Sequence, residues 1–251
     1  MTHRLRLVVC AAAWLTGASS TSAQTVTEWS TETRVALSFH VNDSVLARHL
    51  PAGWASVPST VATNRGANLT VTFVDRLFAT DAQGKPYRTG TSRYIVFGAS
   101  AKNAAGESST VILTGISPEG AGAYGVFVTA TTSRAERASR AKEEEGGRAE
   151  ERWNFAAATG EKVELELAFR RGTPVKSHVT ARIRSALRPE LTRTYAIDQL
   201  VDVVHGLSMP DRVDALKFKA TGPAFSALFD GSEKLLSVTS IPWYVREISV
   251  P

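Results

Sequence analysis

The chain has 251 residues, 43% of them apolar and 21% charged, with a formal charge of +5 at pH 7. That is an ordinary globular mixture, which excludes disorder and collagen-like repeats. No run of about eighteen uncharged apolar residues follows the N-terminal region, so no membrane span is expected after processing.

The first 23 residues read as a signal peptide. Arg4 and Arg6 form a positive n-region, Leu7 to Leu15 is a short apolar core, and Thr21-Ser22-Ala23 places small residues where signal peptidase reads. Cys10 follows Leu-Val-Val, a loose likeness to a lipoprotein signal, but the bulky Val9 argues against lipidation. The expectation is cleavage after Ala23, a periplasmic or secreted protein beginning at Gln24, and one domain over residues 24–251. Cleavage removes Arg4 and Arg6, lowering the formal charge from +5 to +3, and Cys10, the only cysteine. The mature chain then has no disulfide, thiol nucleophile or thiolate metal site, and its stability rests on a core.

Period-two alternation dominates the rest. Val35, Leu37, Phe39 and Val41 mark a first strand, after which Asn42 or Asp43 caps a short helix carrying Val45, Leu46, His49 and Leu50. Pro51 and Gly53 end that helix. Leu69, Val71 and Phe73 mark the next strand, and β-rich runs follow at Tyr94–Ala99, Thr110–Ile116 and Tyr124–Thr131. Thr132–Arg152 is rich in Arg, Glu and Ala and is broken by Gly146-Gly147; it reads as an exposed helix or a solvated excursion. Trp153–Ala158, a turn at Thr159-Gly160-Glu161, and the alternation of Val163, Leu165, Leu167 and Phe169 predict a hairpin. Val179, Ala181 and Ile183 alternate next. Asp198–Val204 and Pro223–Phe229 read as short helices, and Leu216–Ala220 and Leu236–Ile248 as strands. The fold class is a β-rich α+β domain with few short helices and a strongly curved or closed sheet. Leu37, Phe73, Leu165, Leu167 and Phe169 are candidate core residues.

Most catalytic signatures are absent. There is no Gly-x-Ser-x-Gly elbow, no Ser-x-x-Lys and no Gly-rich phosphate loop, so no cofactor is expected. His40, His49, His178 and His205 are isolated, which leaves no helical metal pair. Asp198, Asp202 and His205 would share a helix face, where a surface role is the ordinary one; no metal is expected. Glu164 and Glu166 fall on the polar face of a strand, where solvation is the default. The basic charges are interleaved with acids, and the short Arg182/Arg184 stripe lacks aromatic neighbours, so nucleic acid is not an expected partner. Lys217 and Lys219 share a strand face about 7 Å apart, a spacing at which one ammonium lowers the pKa of the other, though such pairs on wet strands are commonplace.

The order of several segments resembles the acetoacetate decarboxylase-like superfamily. The opening strand and helix end in Leu50-Pro51-Ala52-Gly53. The strand Asn68–Phe73 leads through Asp75 to Asp81-Ala82-Gln83-Gly84-Lys85-Pro86-Tyr87, similar to the family's approach to a Pro-Tyr-x-Glu segment. Ala220-Thr221-Gly222-Pro223, with Leu228-Phe229-Asp230, is similar to its Thr-Gly-Pro segment, and Leu236-Ser237-Val238 to Val245-Arg246-Glu247-Ile248 stand where its closing strands do. The resemblance implies a curved, cone-like β-barrel enclosing a small-molecule cavity, often in a homo-oligomer.

The same comparison argues against the family's imine chemistry. That chemistry needs a lysine beside a second lysine, after a Gly-Arg-Glu segment. The nearest counterpart is Gly125-Val126-Phe127, and the lysine pair falls at Thr132-Ser133-Arg134. Arginine stays protonated and is no substitute. Thr89 replaces the carboxylate of Pro-Tyr-x-Glu, and Asp75 alone retains an acid. No catalytic residue is therefore assigned.

Two functional readings follow. The first is an exported protein that binds a small apolar or carbonyl-bearing ligand in the barrel. If Thr89 faces the cavity, alternation brings Tyr87 and Arg93 with it, and Arg93 with Asp75 supplies the polar grip. The second is an enzyme of altered carbonyl chemistry, of decarboxylase, aldolase or hydratase type, using a relocated lysine such as Lys102, Lys176, Lys217 or Lys219.

Overall fold

The computed structural model describes residues 24–141 and 147–251. The expected signal peptide and residues 142–146 of the charged stretch lie outside the described residues. β1 (Thr25–His40) leads into α1 (Asp43–Ala47). Asn42 caps that helix, its Oδ1 accepting from the Ser44 N–H at 2.9 Å, and Val45 and Leu46 are buried beneath it. The short β2 (Trp54–Ser56) precedes β3 (Leu69–Asp81), β4 (Ser92–Asn103) and β5 (Ser108–Ser117). Then come β6 (Phe127–Arg140), β7 (Arg148–Ala157), β8 (Lys162–Arg170), β9 (Val175–Ser185), β10 (Thr192–Gly206), β11 (Val213–Thr221) and β12 (Lys234–Val250).

Seven of these strands pair in a closed circuit, β1–β3–β4–β5–β9–β10–β12 and back to β1. The β5–β9 junction, Thr110–Ile112 against Ile183–Ser185, is parallel; the other pairs in the circuit are antiparallel. The remaining long strands form an arm, β6–β7–β8–β11, that joins the ring where Gly115–Ser117 pairs with Phe127–Thr129. A closed sheet with few helices is the architecture expected from the alternation.

Closing the sheet gives each ring strand an inner and an outer face. On β3 the outer residues are Leu69, Val71 and Phe73, all buried, and the inner ones are Thr70, Thr72 and Val74. The apolar outer face is covered by the arm. Phe73 has its ring centroid 5.6 Å from Trp153 and 6.3 Å from Phe155, and Phe39 lies 5.2 Å from Phe218. Leu37, Phe73, Leu165, Leu167 and Phe169 are core residues as expected. Their core lies between ring and arm, which leaves the ring's interior free for a cavity.

Three expectations are corrected. Asp198–Val204 is part of β10, not a helix. The i, i+4, i+7 spacing was coincidental; Tyr195 and Ile197 alternate inward, and β9 and β12 pair with the strand on both sides. Asp202 instead pairs with Arg212, and His205 Nδ1 lies 3.3 Å from Asp211. Pro223–Phe229 is a run of turns that drops Phe225 and Leu228 into the core. The described part of Thr132–Arg152 is a hairpin of β6 and β7, from Ala130↔Ala157 to Arg140↔Arg148. Its hidden signal is Ala149, Glu151, Trp153, Phe155 and Ala157, which alternate toward the core despite the charges between them.

Candidate functional site

The ring encloses a cavity of about 370 Å³. Its polar wall comes from the inward positions of β1, β3 and β12. Glu28, Ser30, Glu32 and Arg34 succeed each other on the inner face of β1, opposite Tyr244 and Arg246 of β12. Arg246 Nη2 lies 3.2 Å from Glu28 Oε1, 3.1 Å from Glu32 Oε1 and 3.2 Å from the Tyr94 hydroxyl, while its Nε donates to Ser30 Oγ at 3.0 Å. Arg34 Nε donates to Glu32 Oε2 at 2.7 Å, and its guanidinium stacks 3.5 Å from the Tyr244 ring centroid.

Glu32 is wholly buried, a location that would push its carboxyl up. The Arg246 and Arg34 guanidiniums, with hydrogen bonds from Arg34 and Ser30, outweigh that burial and hold it below its ordinary value of 4.5. Burial raises the Tyr94, Tyr124 and Tyr244 phenols, so all three are neutral hydrogen-bond donors at neutral pH.

The loop between β5 and β6 closes part of the wall. Glu119 on this loop pairs with Arg76 and lies 3.6 Å from Arg88. Gly122 sits at φ +64°, where a Cβ would fall 2.6 Å from the Phe127 ring, so the close packing of this loop requires glycine. Tyr124 then reaches Tyr195, their hydroxyls 2.5 Å apart. Apart from Arg193 and Gln199, most of the remaining lining is small or apolar, including Ala36, Val96, Ile112, Ile183, Ile197 and Ile241.

Among the described residues, five lining arginines (34, 76, 88, 193 and 246) face three carboxylates, Glu28, Glu119 and the buried Glu32. The site is therefore net cationic, and Arg193 has no ion pair among the described residues. No lysine lines the cavity among the described residues. Lys102, Lys176, Lys217 and Lys219 are all exposed, and Lys217 pairs with Glu166 at 3.1 Å. Among the described residues, no group of three or more His, Cys, Asp or Glu is placed to hold a metal ion.

The four residues proposed from sequence are divided by the structure. Tyr87 lines the cavity. Asp75 and Arg93 meet each other at 3.2 Å, but on the outer face, where Arg137 also reaches Asp75 at 3.0 Å. Arg137 continues to Glu151, and Trp153 Nε1 donates to the same carboxylate. This chain ties ring to arm. Thr89 is exposed, with its hydroxyl donating to the Thr91 carbonyl at 2.8 Å. Residues 87–90 are turn and bend rather than strand, with Arg88 at φ +55°, so alternation does not carry from Tyr87 to Arg93. The phase slips, and Arg88, Ser92 and Tyr94 take inward or buried positions instead. Thr132–Arg134 also lies on β6 outside the lining, where Ser133 Oγ donates to the Arg93 carbonyl.

Sequence reasoning missed Glu28, Glu32, Arg34, Tyr124, Tyr195, Tyr244 and Arg246. The available signal was charge at alternate positions of β1, directly ahead of the apolar alternation from Val35.

No protein-family profile matches the chain, and no curated protein sequence does. Solved structures do. The enduracididine biosynthesis enzyme MppR, with HEPES buffer bound, matches with a TM-score of 0.52 at 12% identity over 94% of this chain and 90% of that one. MppR complexed with the condensation product of pyruvate and imidazole 4-carboxaldehyde matches at 0.53 and 12%, over 93% and 90%. An acetoacetate decarboxylase-like enzyme from Sphingomonas wittichii RW1 matches at 0.53 and 11%, over 88% and 90%. The chain has the acetoacetate decarboxylase-like fold, the one that its segment order resembles.

Proposed function

We propose that this is an exported protein that holds a small carbonyl-bearing or apolar molecule within the ring without forming an imine. The observation that carries the reading is the lining itself: tyrosines, arginines and small apolar residues, with no lysine among those described. A volume of about 370 Å³ suits a small organic ligand, and a mostly apolar wall with a few convergent polar groups is the usual form of such a site. Carbonyl oxygens need donors, which the wall has in excess. Imine formation needs an uncharged amine, and guanidinium does not provide one. Export is supported by the N-terminal pattern of charge, apolar core and small residues. Cleavage after Ala23 would leave β1, which starts at Thr25, entire.

The test is incubation of the mature protein with acetoacetate or pyruvate and borohydride, followed by intact mass, beside calorimetric titration of the same compounds and of cyclohexanone. Heat of binding without a mass adduct is expected. An adduct on one lysine, together with carbon dioxide release from acetoacetate, would overturn this reading in favour of the altered enzyme. Protein that stays in the cytoplasm would overturn the export assignment, and retention of residues 1–23 in periplasmic protein would overturn cleavage after Ala23.

A further inference from the structure

The Tyr124–Tyr195 contact leaves a proton unaccounted for. Two neutral phenols carry two hydroxyl protons, and one of them fills the 2.5 Å bond between the oxygens. Among the described residues neither hydroxyl has another acceptor, although both side chains are buried in the cavity wall. An unused donor in a buried site is costly unless something accepts from it. The surroundings state what that acceptor should be. The Arg246 guanidinium carbon lies 4.9 Å from the Tyr195 ring centroid, and that of Arg193 lies 5.7 Å from the Tyr124 ring centroid. Arg76, 3% exposed, adds a buried Nε that has no partner among the described residues. Donors and positive charge converge on this part of the wall, while the three carboxylates of the site are engaged with arginines.

We propose that the Tyr124–Tyr195 pair, flanked by Arg193 and Arg246, is an oxyanion site that holds the ionised oxygen of an enol or phenol. The bound hydroxyl gives up its O–H proton to the buffer, and the resulting anion accepts the free phenolic proton of the pair. One tyrosine donates to the other, and the second donates to the ligand, so the first strengthens the bond that the second makes. Such preorganised donors favour the charged oxygen over the neutral one because they are already aimed when charge develops. Burial also holds the Tyr124 phenol far above its ordinary pKa, which keeps it from competing with the ligand for the negative charge.

The inference rests on the ring cavity being the ligand site, and the experiment separates the two. The probe is 4-nitrophenol, titrated with the mature protein at a pH well below the dye's own pKa, where the free dye is colourless and its anion yellow. The yellow phenolate band is expected to grow with protein concentration. Tyr195→Phe and Tyr124→Phe keep the ring and the charge of the site but remove one donor each; both should bind the phenolate about ten- to hundredfold more weakly. Thermal melts check that each variant is folded. A dye that binds with the colourless spectrum, or a yellow band unchanged in both variants, overturns the oxyanion site and leaves the cavity reading standing. If neither the dye nor cyclohexanone binds the wild-type protein, the cavity reading falls, and the oxyanion site with it.

Discussion

β1 and β8 both carry acidic residues in one phase of an alternating strand and put them to opposite uses. On β8, Glu164 and Glu166 alternate with Val163, Leu165 and Leu167; their side chains are 39% and 57% exposed. On β1, Glu28 and Glu32 lie on the even-numbered positions between Thr27, Trp29, Thr31 and Thr33, yet their side chains are 7% and 0% exposed. β8 belongs to the arm, a single layer with one face on the core and one in water. β1 belongs to the ring, where its second face is an interior. A period of two therefore identifies a strand with two unlike faces and does not say whether the polar face meets solvent or a cavity. The buried charges on the inner face of β1 are paired, whereas the exposed ones on the arm need no partner.

The largest expected effect breaks this comparison at its charged residues. Glu32→Gln leaves Arg34 without its carboxylate and Arg246 with Glu28 alone, and should cost about 3–5 kcal/mol in urea unfolding. The pH dependence has a definite sign. Glu32 is held below its ordinary 4.5 when folded, so its contribution is present above the unfolded pKa and is lost as pH falls through the folded one. The urea midpoint of the wild type should thus drop on acidification below about pH 4.5 by more than that of Glu32→Gln. Equal acid slopes would show that Glu32 is not the ionised hub of this network.

Leu167→Ala probes the other face of β8, which is apolar and 2% exposed. A loss of about 2–5 kcal/mol is expected from the cavity that it opens between arm and ring. A change of a few tenths would mean that β8 has its faces reversed.

The smallest effect belongs to Glu166→Gln. Its partner Lys217 is 79% exposed, and exposed pairs contribute little, so unfolding should shift by no more than about 0.5 kcal/mol. A loss comparable to that of Glu32→Gln would erase the contrast between the two strands.

Much of the architecture was legible. Apolar alternation identifies the outer faces of β1 and β3 and the inner face of β8, and Asn42 marks the cap of α1. The helix assigned to Asp198–Val204 failed because the inward alternation of Tyr195 and Ile197 continues into this segment, where β9 and β12 pair with it on both sides. The charged stretch after Thr132 failed in a similar way, since its small and aromatic core positions were masked by the charges between them. Of the site, Tyr87 was legible through the motif around it. Asp75 and Arg93 were expected as a grip inside the cavity; they meet each other on the outer face instead, because the turns at 87–90 break the phase of alternation.

The amino-acid sequence by itself determined that the chain is built of two-faced strands, which of their faces is apolar, and the order of segments that resembles the acetoacetate decarboxylase-like fold. Those properties are local: side chains alternate along a strand whatever it pairs with. Tertiary structure alone decided that β12 returns to β1 and closes the ring, and that the arm covers its apolar outside. Closure turned an apparently solvated polar face into a buried wall of arginines, carboxylates and tyrosines. It also brought Tyr124 to Tyr195, 71 residues apart in the chain, a meeting that no local spacing encodes because it depends on where non-neighbouring strands pair.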